Sequence, residues 1–165
     1  MKVLVYGYGN PGRLDDGLGP ALATEVASWE LPDVSVETNF QLQIEDAALV
    51  AEYDVVIFAD ADVRCPAPFA LRPLPAADEV RFTTHSVAPG SILALAQDHF
   101  GAAPRGYTLG IRGNDFDDFG EHLSESAQAN LRAAAEYLRH NLRQGRFFSS
   151  LSAKAPPEGS SRSKL

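Results

Sequence analysis

The chain has 165 residues, 45% of them hydrophobic and 22% charged, which suits one globular domain and leaves little room for two. Its longest apolar run, residues 55–59, is far short of the roughly 20 residues a bilayer crossing needs, and the opening Met1-Lys2-Val3-Leu4-Val5-Tyr6-Gly7 breaks too early for a signal peptide. Fourteen basic against 22 acidic residues give a net charge of −8; up to residue 145 the balance is ten against 21, a net of −11, with no basic stripe, so neither a membrane nor a nucleic-acid partner is expected. The single cysteine, Cys65, excludes an intrachain disulfide framework and a Cys-rich zinc site and fits a reducing cytoplasm.

Residues 2–6 form a β-prone apolar run that ends in a glycine-rich stretch, after which helical spacing begins. Leu18, Leu22, Val26 and Trp29 mark one face of that helix, with Pro20 tolerated in its first turn and Leu31-Pro32-Asp33 stopping it. Residues 34–38 have strand character, 46–53 suit a short helix, and 55–59 read as a central strand buried on both faces. The Pro-rich stretch 65–75 predicts an edge strand over 69–74, since proline cannot donate to a central ladder. A helix is predicted over 88–100, a strand over 107–111, and a long amphipathic helix over 124–142 with Ser124 as N-cap and Ala127, Leu131, Ala134, Ala135, Leu138 and Leu142 on one stripe.

Strands alternating with helices imply an α/β fold, a three-layer α/β/α sandwich around a mostly parallel sheet of about five strands. Residues 1–145 are expected to form this single domain and 146–165 a disordered tail, rich in Ser, Pro, Ala and Lys toward its end. The terminal Ser163-Lys164-Leu165 matches a peroxisomal address and is read as coincidence.

In such sheets ligands gather beyond the carboxyl ends of the strands. Gly7-Tyr8-Gly9-Asn10-Pro11-Gly12 is a literal G-x-G-x-x-G after the first strand, but Pro11 removes a donor and Asp15-Asp16 would crowd a phosphate, so a tight turn with close backbone approach explains the glycines as well as a dinucleotide does. Of Asp15 and Asp16, one is expected to cap the following helix, leaving the other spare at the loop mouth. Asp60 ends the central strand, where a buried carboxylate needs a partner or a cation; Asp62, two residues on, is an equal candidate. His85, in Thr83-Thr84-His85-Ser86 before a helix, lies in a loop that could sit beside these acids, with a structural role as the alternative, whereas His99, His122 and His140 need no function. Two carboxylates and an imidazole on three loops would suit a divalent metal such as zinc or nickel, while Cys65 has no motif pairing it with a base and is read as a spectator.

Taken together, Gly7-x-Gly9-Asn10-Pro11-x-x-x-Asp15-Asp16-Gly17-x-Gly19, the Asp60-Ala61 pair, the Thr-His-Ser segment at His85, Gly110-Ile111-Arg112-Gly113 and Phe119-Gly120-Glu121-His122-Leu123-Ser124 resemble the nickel-iron hydrogenase maturation endopeptidases, over about residues 1–143. The resemblance implies an enzyme, a metal-dependent or aspartic-type peptidase that removes a C-terminal peptide from the large subunit after nickel insertion and so activates the hydrogenase. It implies that Asp16, Asp60 and His85 form both the catalytic group and the metal site, reading the nickel of the substrate, with a divalent metal able to occupy the same ligands. The implied partner is the large-subunit precursor, met by a cytoplasmic monomer. Many members carry Glu where this chain has Asp16, and their Gly-rich segment after the second strand is replaced here by Asn39-Phe40-Gln41-Leu42-Gln43. The alternatives are a nickel-binding or docking module that does not cut, and a nucleotide-binding protein using the glycine loop.

Overall fold

Residues 3–6 and 55–59 send alternate hydrophobic side chains to opposite faces, so the two central strands each feed two cores at once. The computed structural model describes residues 1–81 and 86–145; His85 and the expected tail, 146–165, lie outside the described residues. Five strands, β1 (Val3–Tyr8), β2 (Val34–Asn39), β3 (Val55–Asp62), β4 (Phe69–Leu74) and β5 (Arg105–Arg112), form one sheet in the order β2-β1-β3-β5-β4. All neighbouring pairs are parallel except β4 with β5, and Pro73 lies on that antiparallel edge strand, where its missing N–H costs no ladder bond inside the sheet.

Helices α1 (Leu18–Ala27) and α4 (Glu125–Gln144) cover one face, and α2 (Asp46–Val50) and α3 (Pro89–Phe100) the other. Val3, Val5, Val55, Ile57 and Ala59 point to the first face and meet Leu18, Leu22, Val26, Ala134 and Leu138. Leu4, Tyr6, Val56 and Phe58 point to the second and meet Val50, Ile92, Leu93 and Ala96. This period-two alternation, with both faces apolar, is what a doubly covered parallel sheet requires.

The strands run longer than the apolar runs suggest: β1 continues through Gly7 and Tyr8, and β3 through Asp60 to Asp62, because parallel partners supply ladder bonds to residues that hydropathy alone would leave in a loop. The second helix is shorter than its predicted 46–53, ending at Val50. α4 has Ser124 as its N-cap, its hydroxyl accepting from the Ala127 N–H at 3.2 Å, and Gly145 closes it in a left-handed conformation at φ 61°. Among the described residues no helix is long and apolar enough to cross a membrane.

Candidate functional site

The loop after β1 is built by backbone contact. Gly9 has φ +139°, a conformation that side chains rarely adopt, and a Cβ on Gly19 would come within 2.5 Å of the Ala59 carbonyl oxygen. Removing that Cβ seats α1 directly against the ends of β1 and β3, and a nucleotide is not needed to explain the glycines. Asn10 then organises the turn: its side-chain oxygen accepts from the Gly12 N–H at 2.9 Å, and its own N–H donates to Asp16 Oδ2 at 2.8 Å. A second loop, between β5 and α4, clamps the first; the Gly120 N–H donates to the Gly12 carbonyl at 2.8 Å and the Leu14 N–H to the Gly120 carbonyl at 3.0 Å.

Neither acid of the Asp15-Asp16 pair caps α1, contrary to the expectation; they fall in a 3-10 turn, Leu14–Gly17, and the N-cap position is Gly17, with no side-chain cap. Asp15 turns inward. Fully buried, it accepts from the N–H groups of Asn114 (2.9 Å), Asp115 (3.0 Å) and Ser124 (2.7 Å) and from the Ser124 hydroxyl (2.7 Å). Burial alone would raise its pKa, but these donors outweigh it and hold the carboxyl below the usual value. Asp15 thus ties the glycine loop to the cap of α4, and Asp16, half-buried, is the acid left facing the strand ends.

Asp60 continues β3 beyond Phe58 and so emerges on the α2–α3 face, where Tyr8, next in line after Leu4 and Tyr6 on β1, emerges beside it. One Asp60 oxygen accepts from the Ala61 N–H at 2.8 Å, and the Tyr8 hydroxyl donates to the carboxylate. Burial, reinforced by the negative charges of Asp16 and Asp62, raises its pKa to about 7, despite the two hydrogen bonds that favour the charged form. Burial and the Asp60 charge also push the Tyr8 phenol upward, so Tyr8 stays a proton donor to Asp60 at neutral pH.

Asp62 is committed elsewhere. Its Oδ1 accepts from the Arg64 and Cys65 N–H groups at 2.8 and 3.1 Å, which hold its pKa below the usual value and shape the turn after β3. Cys65 itself is buried, its thiol directed at the Gly110 carbonyl oxygen at 3.6 Å and its pKa raised by burial, an environment that suppresses the thiolate.

The structure therefore brings Asp16 and Asp60 together, close enough for the charge of one to act on the other, and assigns Asp15 and Asp62 to the scaffold. Two acids of like charge, one of them titrating near neutrality, suit either proton transfer or a divalent cation that would relieve their repulsion. Among the described residues no three His, Cys, Asp or Glu side chains group as metal ligands, and the third expected ligand, His85, lies outside those residues. Tyr8 was missed as a site residue in the sequence, although its parity with Leu4 and Tyr6 placed it on the same face as Asp60.

No protein-family model and no curated protein matches the chain. Solved structures do. The hydrogenase maturating endopeptidase HybD from E. coli is 21% identical and superposes with a TM-score of 0.68 over 88% of this chain and 94% of that one. The hydrogenase 2 maturation peptidase from a Thaumarchaeota archaeon is 25% identical, with a TM-score of 0.63 over 87% and 99%. The [NiFe] hydrogenase maturation protease HycI from Thermococcus kodakarensis is 21% identical, with a TM-score of 0.66 over 86% and 92%. The five-stranded α/β/α sandwich of this chain is thus the fold of the hydrogenase maturation endopeptidases.

Proposed function

We propose that this protein is an endopeptidase that removes a C-terminal peptide from the nickel-loaded large subunit of a nickel-iron hydrogenase. The observation that carries the reading is the Asp16–Asp60 pair at the carboxyl ends of β1 and β3, in a fold shared with peptidases of that name. The substrate brings the metal with it: nickel in the precursor docks on the Asp16 and Asp60 carboxylates and on the His85 imidazole, so only a loaded subunit presents its scissile bond correctly. A nickel-free precursor lacks that anchor.

Nickel held by Asp16, Asp60 and His85 would supply Lewis-acid polarisation of the scissile carbonyl. Asp60, oriented by the Ala61 N–H and the Tyr8 hydroxyl, takes a proton from the attacking water and returns it to the departing amide nitrogen, so one carboxyl serves as base and then as acid. In the metal-free protein its pKa is raised to about 7, and nickel beside it would draw that value down and leave the carboxylate ready to accept the proton. Asp16 remains the fixed anionic ligand, held by the Asn10 N–H. A divalent ion other than nickel would find the same oxygen and nitrogen donors in the isolated protein. The acidic, single-cysteine chain fits a cytoplasmic monomer that meets its precursor before assembly.

The test is intact-mass analysis of a large-subunit precursor, nickel-loaded or nickel-free, after incubation with the protein. Loss of a C-terminal peptide from the loaded form alone is expected. Stable binding of a verified precursor without any cut would replace the peptidase with a docking module.

A further inference from the structure

Beside the acid pair the sheet is open. A cleft of about 260 Å³ runs from Tyr8, Asp60 and Asp62 across Thr108 and Gly110 of β5 to Ala70 and Arg72 of the edge strand β4. Register explains its shape: Asp60 pairs with Gly110 and Gly110 with Ala70, so two minimal side chains form the floor next to Asp60, and one step down the sheet Phe58, Thr108 and Arg72 stand in a row. A side chain on Gly110 would fill the cleft, its Cβ falling 2.8 Å from Asp62 Oδ2.

Arg72 is the one basic residue that lines the cleft, with Asp60 and Asp62 the acids on its other side. Arg72, exposed, and Arg112, half-buried, both act on the Cys65 thiol beneath them, and Arg64 follows Asp62 in the turn above. Of these three cations Arg112 is engaged, its Nη1 donating to the Cys65 carbonyl at 2.7 Å. Asp62, the acid among them, has one oxygen occupied by two backbone N–H groups. The Arg72 guanidinium lines the cleft, where its charge acts on Asp62, and among the described residues no hydrogen bond engages its planar donors; the following Pro73 stiffens the strand that carries it.

We propose that this cleft is a substrate subsite in which Arg72 selects a carboxylate side chain on the precursor polypeptide, close in sequence to the bond that is cut. The inference rests on the peptidase reading and deepens it: the acid pair reads the metal, and Arg72 reads the chain. A guanidinium pairs with a carboxylate in a bidentate fork, which adds orientation as well as attraction, and the flat Gly110–Ala70 floor lets an extended segment lie against the sheet between the two ends.

Cleavage of the nickel-loaded precursor is compared for the wild type, Arg72→Lys, Arg72→Gln and Arg72→Glu, with binding of the same precursor titrated in the Asp60→Asn background. Arg72→Gln is expected to raise KM and the dissociation constant about tenfold and Arg72→Glu further, with Lys intermediate, kcat within about twofold and melting temperature unchanged. Converting acidic residues near the cut to amides, one at a time, should identify one whose effect vanishes in the Arg72→Gln protein. KM unmoved by Arg72→Gln, or Glu no worse than Gln, overturns the proposal; so does a precursor in which no nearby acid couples to Arg72. If the wild type binds but does not cut, and binding still depends on Arg72, the subsite stands while the peptidase reading falls. If it neither binds nor cuts, both fall.

Discussion

Asp15 and Asp60 are carboxylates drawn away from water beyond the carboxyl ends of the same sheet, and their surroundings drive them in opposite directions. Asp15 is surrounded by four donors and is held ionised; Asp60 has two, faces the charge of Asp16, and titrates near pH 7. Burial raises the pKa of both. The number of donors and the sign of the nearest charge decide whether a buried acid becomes a structural tie or a reactive group.

The largest effect should come from neutralising the reactive acid. Asp60→Asn keeps the shape and removes the proposed base, so on the proposed mechanism cleavage of the loaded precursor should fall about 10²- to 10⁴-fold with the fold retained. A variant that still cuts at a tenth of the wild-type rate would remove Asp60 from the chemistry.

Asp15→Ala strikes the structural acid. It leaves the N–H groups of Asn114, Asp115 and Ser124 without their acceptor and frees the cap of α4, at a cost of roughly 2–4 kcal/mol by urea unfolding. A denaturation midpoint equal to that of the wild type would mean these loops are tied together by something else.

The pH dependence separates the two acids in one experiment, performed with chelator present. Asp15 titrates below its unfolded value, so its contribution is complete above about pH 4 and disappears as the pH falls through the lower folded value. Asp60 titrates above its unfolded value: between about pH 4 and 7 the folded state holds a proton that the unfolded state has lost, so stability declines as the pH rises through that window, by roughly 4 kcal/mol, and is level above it. Asp60→Asn should flatten this decline and leave the acid limb alone. Parallel stability curves for the two proteins would contradict the raised pKa.

The smallest effect belongs to Tyr8→Phe. Losing one hydroxyl that orients Asp60 should lower kcat about threefold to tenfold with KM nearly constant, about 1 kcal/mol in the transition state. A change confined to KM would make Tyr8 a substrate contact instead.

Much of this architecture is legible in the chain. The apolar run at 55–59 marks β3, Pro73 marks an edge, and Ser124 and Gly145 bracket α4, because strand faces, caps and proline constraints act within a few residues of where they are written. The acid at the end of β3 was legible for the same reason. The choice within each acid pair was not. Asp15 finds its donors 99 to 109 residues downstream, so nothing near it in sequence distinguishes it from Asp16. Asp62 bonds locally, yet the contrast with Asp60 comes from Tyr8 and Asp16, which only the pairing of β1 with β3 brings near.

The sequence by itself determined the elements, their order and the loops from which function must come, since hydrophobic period and turn chemistry are properties of short stretches of chain. Tertiary structure decided which carboxylate is tied into the scaffold and which faces the strand ends, because donors, neighbouring charge and exclusion of water are supplied by segments far apart in the chain that meet only when the sheet has formed.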